Sequence, residues 1–230
     1  MYDISIPKNV NNSSSFTLSL KESYDTSFAL ILEHEWALDL VNSKLTAARF
    51  EGLIEQQVLL CNDLARRAML LALKEPQYKE LKKPANFLIN EAFKDLKVLT
   101  TSLKSIKPFA VTEYYLESIS QAWEKGPFIH KLITLIVPLW LMQDLRQLLL
   151  SEPSYNKPHQ EWIDQAINHN PSEVIQILSS LIDLVAKKLS EDEEFTLHPF
   201  LLKLLRSELL IRNEAYQISP QSLNQMDETS

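Results

Sequence analysis

The sequence predicts an all-α protein built as one bundle of long helices, and three observations carry that prediction. The 230 residues contain only two glycines, Gly52 and Gly126, and hairpin-rich folds need many residues that accept positive φ. Apolar residues recur at helical spacing through most of the chain. Helix-start signals stand in front of those stretches: Thr46, the Asn170-Pro171 pair, and Ser190 with Glu193 three residues on.

Taken in order, residues 1–22 are polar and serine-rich and are expected to form a flexible N-terminal arm. A first helix starts at Asp25 or Thr26 and carries Phe28, Ile31, Leu32, Trp36, Leu38 and Val41. A second starts after Thr46 and runs to about Leu73 before Pro76. A third spans Pro84 to Leu103 with Phe87, Leu88, Ala92, Leu96 and Leu99 on its core face. Thr112 is expected to cap a fourth, which Gly126-Pro127 ends. The fifth, Phe128 to Leu150, is apolar nearly all round and therefore central. A short helix follows near Glu161 to Ile167. Asn170 is expected to cap the next, with Val174, Ile177, Leu178, Leu181, Leu184 and Val185 facing inward. Ser190 and Glu193 open the last, which ends near Tyr216. The domain is thus 23–217, with 218–230 expected to be a disordered tail.

The composition excludes some functions. A net charge of −7, with Lys and Arg dispersed, repels phosphate backbones, so no nucleic-acid partner is expected. The lone Cys61 cannot close an internal disulfide, which fits a reducing, cytoplasmic setting. The apolar run Leu132 to Met142 is short of the ~20 residues of a membrane span, so no membrane role is expected.

The order of several motifs resembles the TenA family, also called thiaminase II or aminopyrimidine aminohydrolase. ILEHEW, KLTAARF and LIEQQVLL follow one another between Ile31 and Leu60. VPLWLMQDL is similar to the family's PCLWGYAEIG stretch. PHQEWID and LLRSELLIRNEAYQ look like its YxEWI motif and its terminal S-x-E-x-x-FW-x-x-A-Y helix. The resemblance covers about residues 25–217. It implies a haem-oxygenase-like multi-helix bundle, a homotetramer, and an internal pocket for the pyrimidine half of thiamin.

The resemblance can be carried over residue by residue. The family's C-terminal glutamate falls on Glu208 and its fourth-helix tyrosine on Tyr115, both retained. Its helix-two aspartate falls on Gln57, and the two tyrosines after it on Leu60 and Leu64. Its nucleophilic cysteine falls on Pro138, the next tyrosine on Met142, and the tyrosine before EWI on His159. Proline supplies no nucleophile, and glutamine takes no proton as aspartate does. The expected protein is therefore a divergent TenA-like chain unlikely to run ordinary thiaminase II hydrolysis. It acts on or binds a different, more apolar or aromatic small ligand, with any catalysis centred on Glu208. The alternatives are a non-catalytic binding, assembly or regulatory descendant, and a residual thiamin-pyrimidine salvage hydrolase.

No cofactor and no metal site are expected. His34 falls where haem oxygenases place their iron ligand, but the TenA pattern has histidine there without haem, so a structural role is expected. Glu91 and Asp95 in the third helix have no histidine beside them in sequence. Cys61, one turn after Gln57, is read as a small buried hydrophobe. Asp144 and Arg146 are expected to be solvated, and Trp36, Trp123, Trp140 and Trp162 to lie in the core or a subunit contact.

Overall fold

A computed structural model describes residues 15–99, 105–151 and 159–218. Its elements are α1 (Phe16–Glu22), α2 (Asp25–Leu32), α3 (Glu35–Val41), α4 (Ala47–Lys74), α5 (Lys82–Val98), α6 (Ala110–Lys125), α7 (Phe128–Ser151), α8 (Gln160–Asn168), α9 (Ser172–Ala186) and α10 (Glu191–Tyr216). A short 3-10 segment, Pro76–Leu81, joins α4 to α5. No strand occurs among the described residues.

The centre of the bundle is α7. Its run from Leu132 to Leu141 is buried on every side, so it must be wrapped by other helices. It touches α2, α3, α4, α6, α8, α9 and α10. With 24 residues it is longer than the apolar run suggested and is long and apolar enough to cross a membrane, yet 67% of its most apolar window is buried inside the bundle. That burial makes it a core helix. Along its flank, α4 and α5 form a hairpin through the 3-10 turn.

Several expectations change here. Residues 16–22, expected to belong to a flexible arm, form a helix. Thr17 and Leu20 are buried, and Thr17 binds Asp183 of α9 through both its backbone N–H (2.8 Å) and its hydroxyl (2.6 Å). The earlier residues of that arm and most of the C-terminal tail lie outside the described residues. Ile218 does not behave as tail: it packs over Gly52, where a Cβ would collide with its side chain. The predicted first helix is two helices, broken at His34. That histidine caps α3, its Nδ1 accepting from Trp36 N at 3.0 Å, while Nε2 meets Asn213 Oδ1 at 3.1 Å. Tyr24, not Asp25 or Thr26, precedes α2 as its cap.

Other caps are mixed. Thr46 precedes α4, but its hydroxyl has no hydrogen-bond partner among the described residues. Thr112 lies inside α6, which Phe109 precedes. Asn170 does take the Ser172 N–H (3.1 Å), although α9 opens one residue later than predicted, after Pro171. The Ser190–Glu193 capping box is formed in full. In α9 the buried face is Val174, Leu178 and Ile182, and Leu184 is exposed. Asp144 and Arg146 are half-buried and engaged: Lys21 Nζ donates to Asp144 at 2.8 Å, and Arg146 Nε to Ile167 O at 2.7 Å.

The central position of α7 sets a contrast. Leu135→Ala, at a fully buried site, is expected to cost ~2–5 kcal/mol in denaturant unfolding. Phe195→Ala, 81% exposed on α10, should stay within about 0.5 kcal/mol. Equal effects would mean that α7 is not the core.

Candidate functional site

Six helices close around a small internal cavity of ≈ 50 Å³. Helical spacing explains which side chains reach it. On α7, Pro138, Leu141, Met142 and Leu145 sit at i, i+3, i+4 and i+7 and form one wall. Trp36, Leu53, Ile54 and Trp162 supply more apolar surface, and Gln57 of α4 faces the same space. The remaining lining is ionisable: Glu91 and Asp95, one turn apart on α5, and Glu208 and Arg212, one turn apart on α10. The site is therefore more charged than the greasy pocket expected from Leu60, Leu64 and Met142.

Of the residues singled out in the sequence, the structure brings Gln57, Pro138, Met142 and Glu208 together. Leu60, Leu64, Tyr115 and His159 do not line the cavity. Leu60 and Leu64 are buried in the core. Tyr115 is buried beside Glu208; burial, then the carboxylate's charge and the phenol's hydrogen-bonding approach to it, push its phenol well above its ordinary range. His159 precedes α8 in a left-handed conformation (φ 66°), stacks on Phe50 and points to Leu45 O at 3.4 Å. Cys61 is also absent from the wall. Burial, then the nearby Asp95 and Glu91, push its thiol well above the ordinary value, which keeps it in the unreactive form.

Glu208 is 1% exposed. Its Oε2 accepts from Arg212 Nη1 at 2.8 Å, and its Oε1 has no hydrogen-bond partner among the described residues. Arg212 was not anticipated as part of the site. The signal was present: counting along the family pattern E-x-x-F-W-x-x-A-Y from Glu208 puts Arg212 at the tryptophan. A buried cation thus stands where the pattern has an aromatic wall.

The second group rests on α5. Glu91 is bound by His169 Nδ1 and by Lys94 Nζ, both at short range. Burial works to raise the Glu91 carboxyl, but the His169 and Lys94 contacts outweigh it and hold it below its ordinary value. Asp95 accepts from Trp162 Nε1 at 2.8 Å, with Lys94 Nζ farther off at 3.9 Å. Burial pushes Asp95 up to about 7 against the pull of Lys94. A second small cavity, ≈ 40 Å³, lies on the far side of Met142, Leu145, Trp162 and Glu91 and is lined by His169 and Arg146. No group of three or more His, Cys, Asp or Glu placed to hold a metal occurs among the described residues.

Solved structures with the same architecture fix the fold. A TenA homologue from Pyrococcus furiosus superposes with a TM-score of 0.76 at 16% identity, over 87% of this chain and 100% of that one. The chain has the TenA fold. A TenA homologue from P. horikoshii OT3 gives 0.72 at 19% identity, over 89% and 99% of the two chains. A TenA-family transcription regulator from a Silicibacter species gives 0.70 at 15% identity, over 89% and 97%. No protein-family model and no curated protein matches the sequence. The helical bundle agrees with the all-α fold that the family resemblance implies.

Two predictions follow from the buried charges. Because the folded Asp95 value lies above its unfolded one, the folded state holds that proton more tightly. Its contribution to stability is then greatest at low pH and falls as pH rises from about 4 to about 7, by ~4 kcal/mol at most. Asp95→Asn keeps an acceptor for Trp162, so it should raise stability near pH ~8 and flatten that slope in pH-dependent urea unfolding; parallel curves for the two proteins would refute the assignment. Arg212→Leu strands the Glu208 carboxylate and should cost ~3–5 kcal/mol. The double variant with Glu208→Gln should recover most of that loss, and a strictly additive double variant would contradict a buried ion pair.

Proposed function

We propose that the chain is a divergent TenA-family protein that binds a small nitrogen-bearing ligand in this cavity without hydrolysing it. The observation that carries the reading is Oε1 of Glu208, a buried acceptor without a donor in good geometry among the described residues, on a side chain that lines a cavity whose wall has Pro138 at the place of the family's cysteine. An unpaired buried acceptor costs ~1–3 kcal/mol, which a ligand N–H would remove. Glu208 is thus read as a binding group, and the sole thiol, buried and off the wall, as a packing group.

Cavity size sharpens this. A void of about 150 Å³ accepts benzene, and ~10–15 Å³ accepts a water. The ≈ 50 Å³ present therefore suits water or a very small ligand. A ring-sized ligand requires the wall of Met142 and Leu145 to move toward the neighbouring cavity, and methionine adapts readily. A regulatory role, the one named for the Silicibacter neighbour, is compatible with binding of this kind.

The test is calorimetric titration of the full chain with the hydroxymethyl-aminopyrimidine half of thiamin, beside a chromatographic assay for hydrolysis of its aminomethyl analogue. Binding weakened at least tenfold by Glu208→Gln, with product at the blank level, is the expected result. Turnover well above blank that Glu208→Gln abolishes would establish a hydrolase and overturn the reading.

A further inference from the structure

Three carboxylates border the cavity, and two of them have a cation of their own. Glu208 has Arg212, and Glu91 has Lys94 together with His169. Asp95, 3% exposed, has only the indole N–H of Trp162 within hydrogen-bond distance; Lys94 stands at 3.9 Å and is committed to Glu91. On another wall of the same cavity, Oε1 of Glu208 has no donor in good geometry among the described residues. Two buried carboxylates line one cavity; one has an oxygen short of a donor, and the other has its nearest cation at 3.9 Å, shared with Glu91, so a positively charged donor between them would serve both.

We propose that Asp95 and Glu208 Oε1 are the two poles of a subsite for a small organic monocation with N–H donors, an amidinium or a protonated amino-heterocycle. The cation's charge completes the pairing of Asp95, and its N–H groups satisfy both oxygens. This rests on the reading of Glu208 as a ligand-binding group and adds Asp95 as the residue that selects for charge. A divalent metal ion does not fit, because it would need several more oxygen ligands than the cavity offers.

The charges around Asp95 bear on the linkage to protons. On α5 these are Glu91 and Lys94, on α4 Cys61, beyond α8 His169, and on α10 Glu208 and Arg212. Burial leaves Asp95 partly protonated near neutrality. A cation arriving beside it favours the ionised form, so its proton leaves to solvent as the ligand binds.

The experiment is titration of the full chain with acetamidinium chloride near neutral pH, in two buffers of different ionisation enthalpy. Acetamide is the neutral isostere, and Asp95→Asn and Glu208→Gln are the variants, with folding followed by circular dichroism. Expected are acetamidinium binding at least tenfold tighter than acetamide, release of a fraction of a proton, and loss of both with Asp95→Asn. The comparison of amide with amidinium needs no variant, so it decides even if Asp95→Asn fails to fold. Equal binding of amide and amidinium, absence of proton release, or unchanged binding by a folded Asp95→Asn would each overturn the inference. If Glu208→Gln still abolishes aminopyrimidine binding in that event, the Glu208 reading stands alone. If acetamidinium depends on Asp95 but not on Glu208, the Glu208 reading falls and Asp95 remains. No binding of either probe removes both.

Discussion

A helix that is apolar on every side has to be surrounded, and α7 is that helix. Its ten-residue stretch from Leu132 to Leu141 is buried throughout, so the other helices pack as a shell around it. The cavity follows from the same arrangement. Where α7 presents Pro138, Met142 and Leu145, the surrounding helices present their turns of ionisable residues, and the two do not fill the space between them. Charges enter the core there because the shell helices α5 and α10 bring acids on their inner faces.

Burying acids at a helix junction makes each one depend on a partner supplied from elsewhere. Glu208 is met by its own helix one turn on, through Arg212. Glu91 is met by Lys94 from its own helix and by His169 from the end of α8. Asp95 is met by an indole from α8 and not by a cation of its own. The unequal supply of partners separates the acids electrostatically: Asp95 is raised and Glu91 lowered, although they lie one turn apart. That separation of neighbouring carboxyls is what gives a compact site distinct proton-holding and charge-holding groups.

How much of this was legible depended on how local the cause was. The Ser190–Glu193 box, the start of α4 after Thr46 and the burial of α7 are set by residues within a turn or two of each other, and periodicity reveals them. The helix Phe16–Glu22 hides in a serine-rich stretch because its stability comes from Asp183, far along the chain. The inner face of α5 was misread for a similar reason. Periodicity favoured Phe87, Leu96 and Leu99, whereas the structure buries Glu91 and Asp95 and leaves those three only partly covered. Acids are tolerated inside only because Trp162 and His169 come from a distant segment to bind them. Family comparison located Glu208, Pro138, Gln57 and Met142, but comparison of old site positions could not find new partners, and so passed over Arg212 and Asp95.

The most direct measurement is a high-resolution crystal structure of the full chain grown with an aminopyrimidine or acetamidinium. The expected map has the Arg212 guanidinium on Glu208, Asp95 held by Trp162, and ligand density between Asp95 and the free oxygen of Glu208. A map with Arg212 turned out to solvent, no ligand density beside Asp95, and the void between them filled by side chains would contradict a binding site built from these two acids.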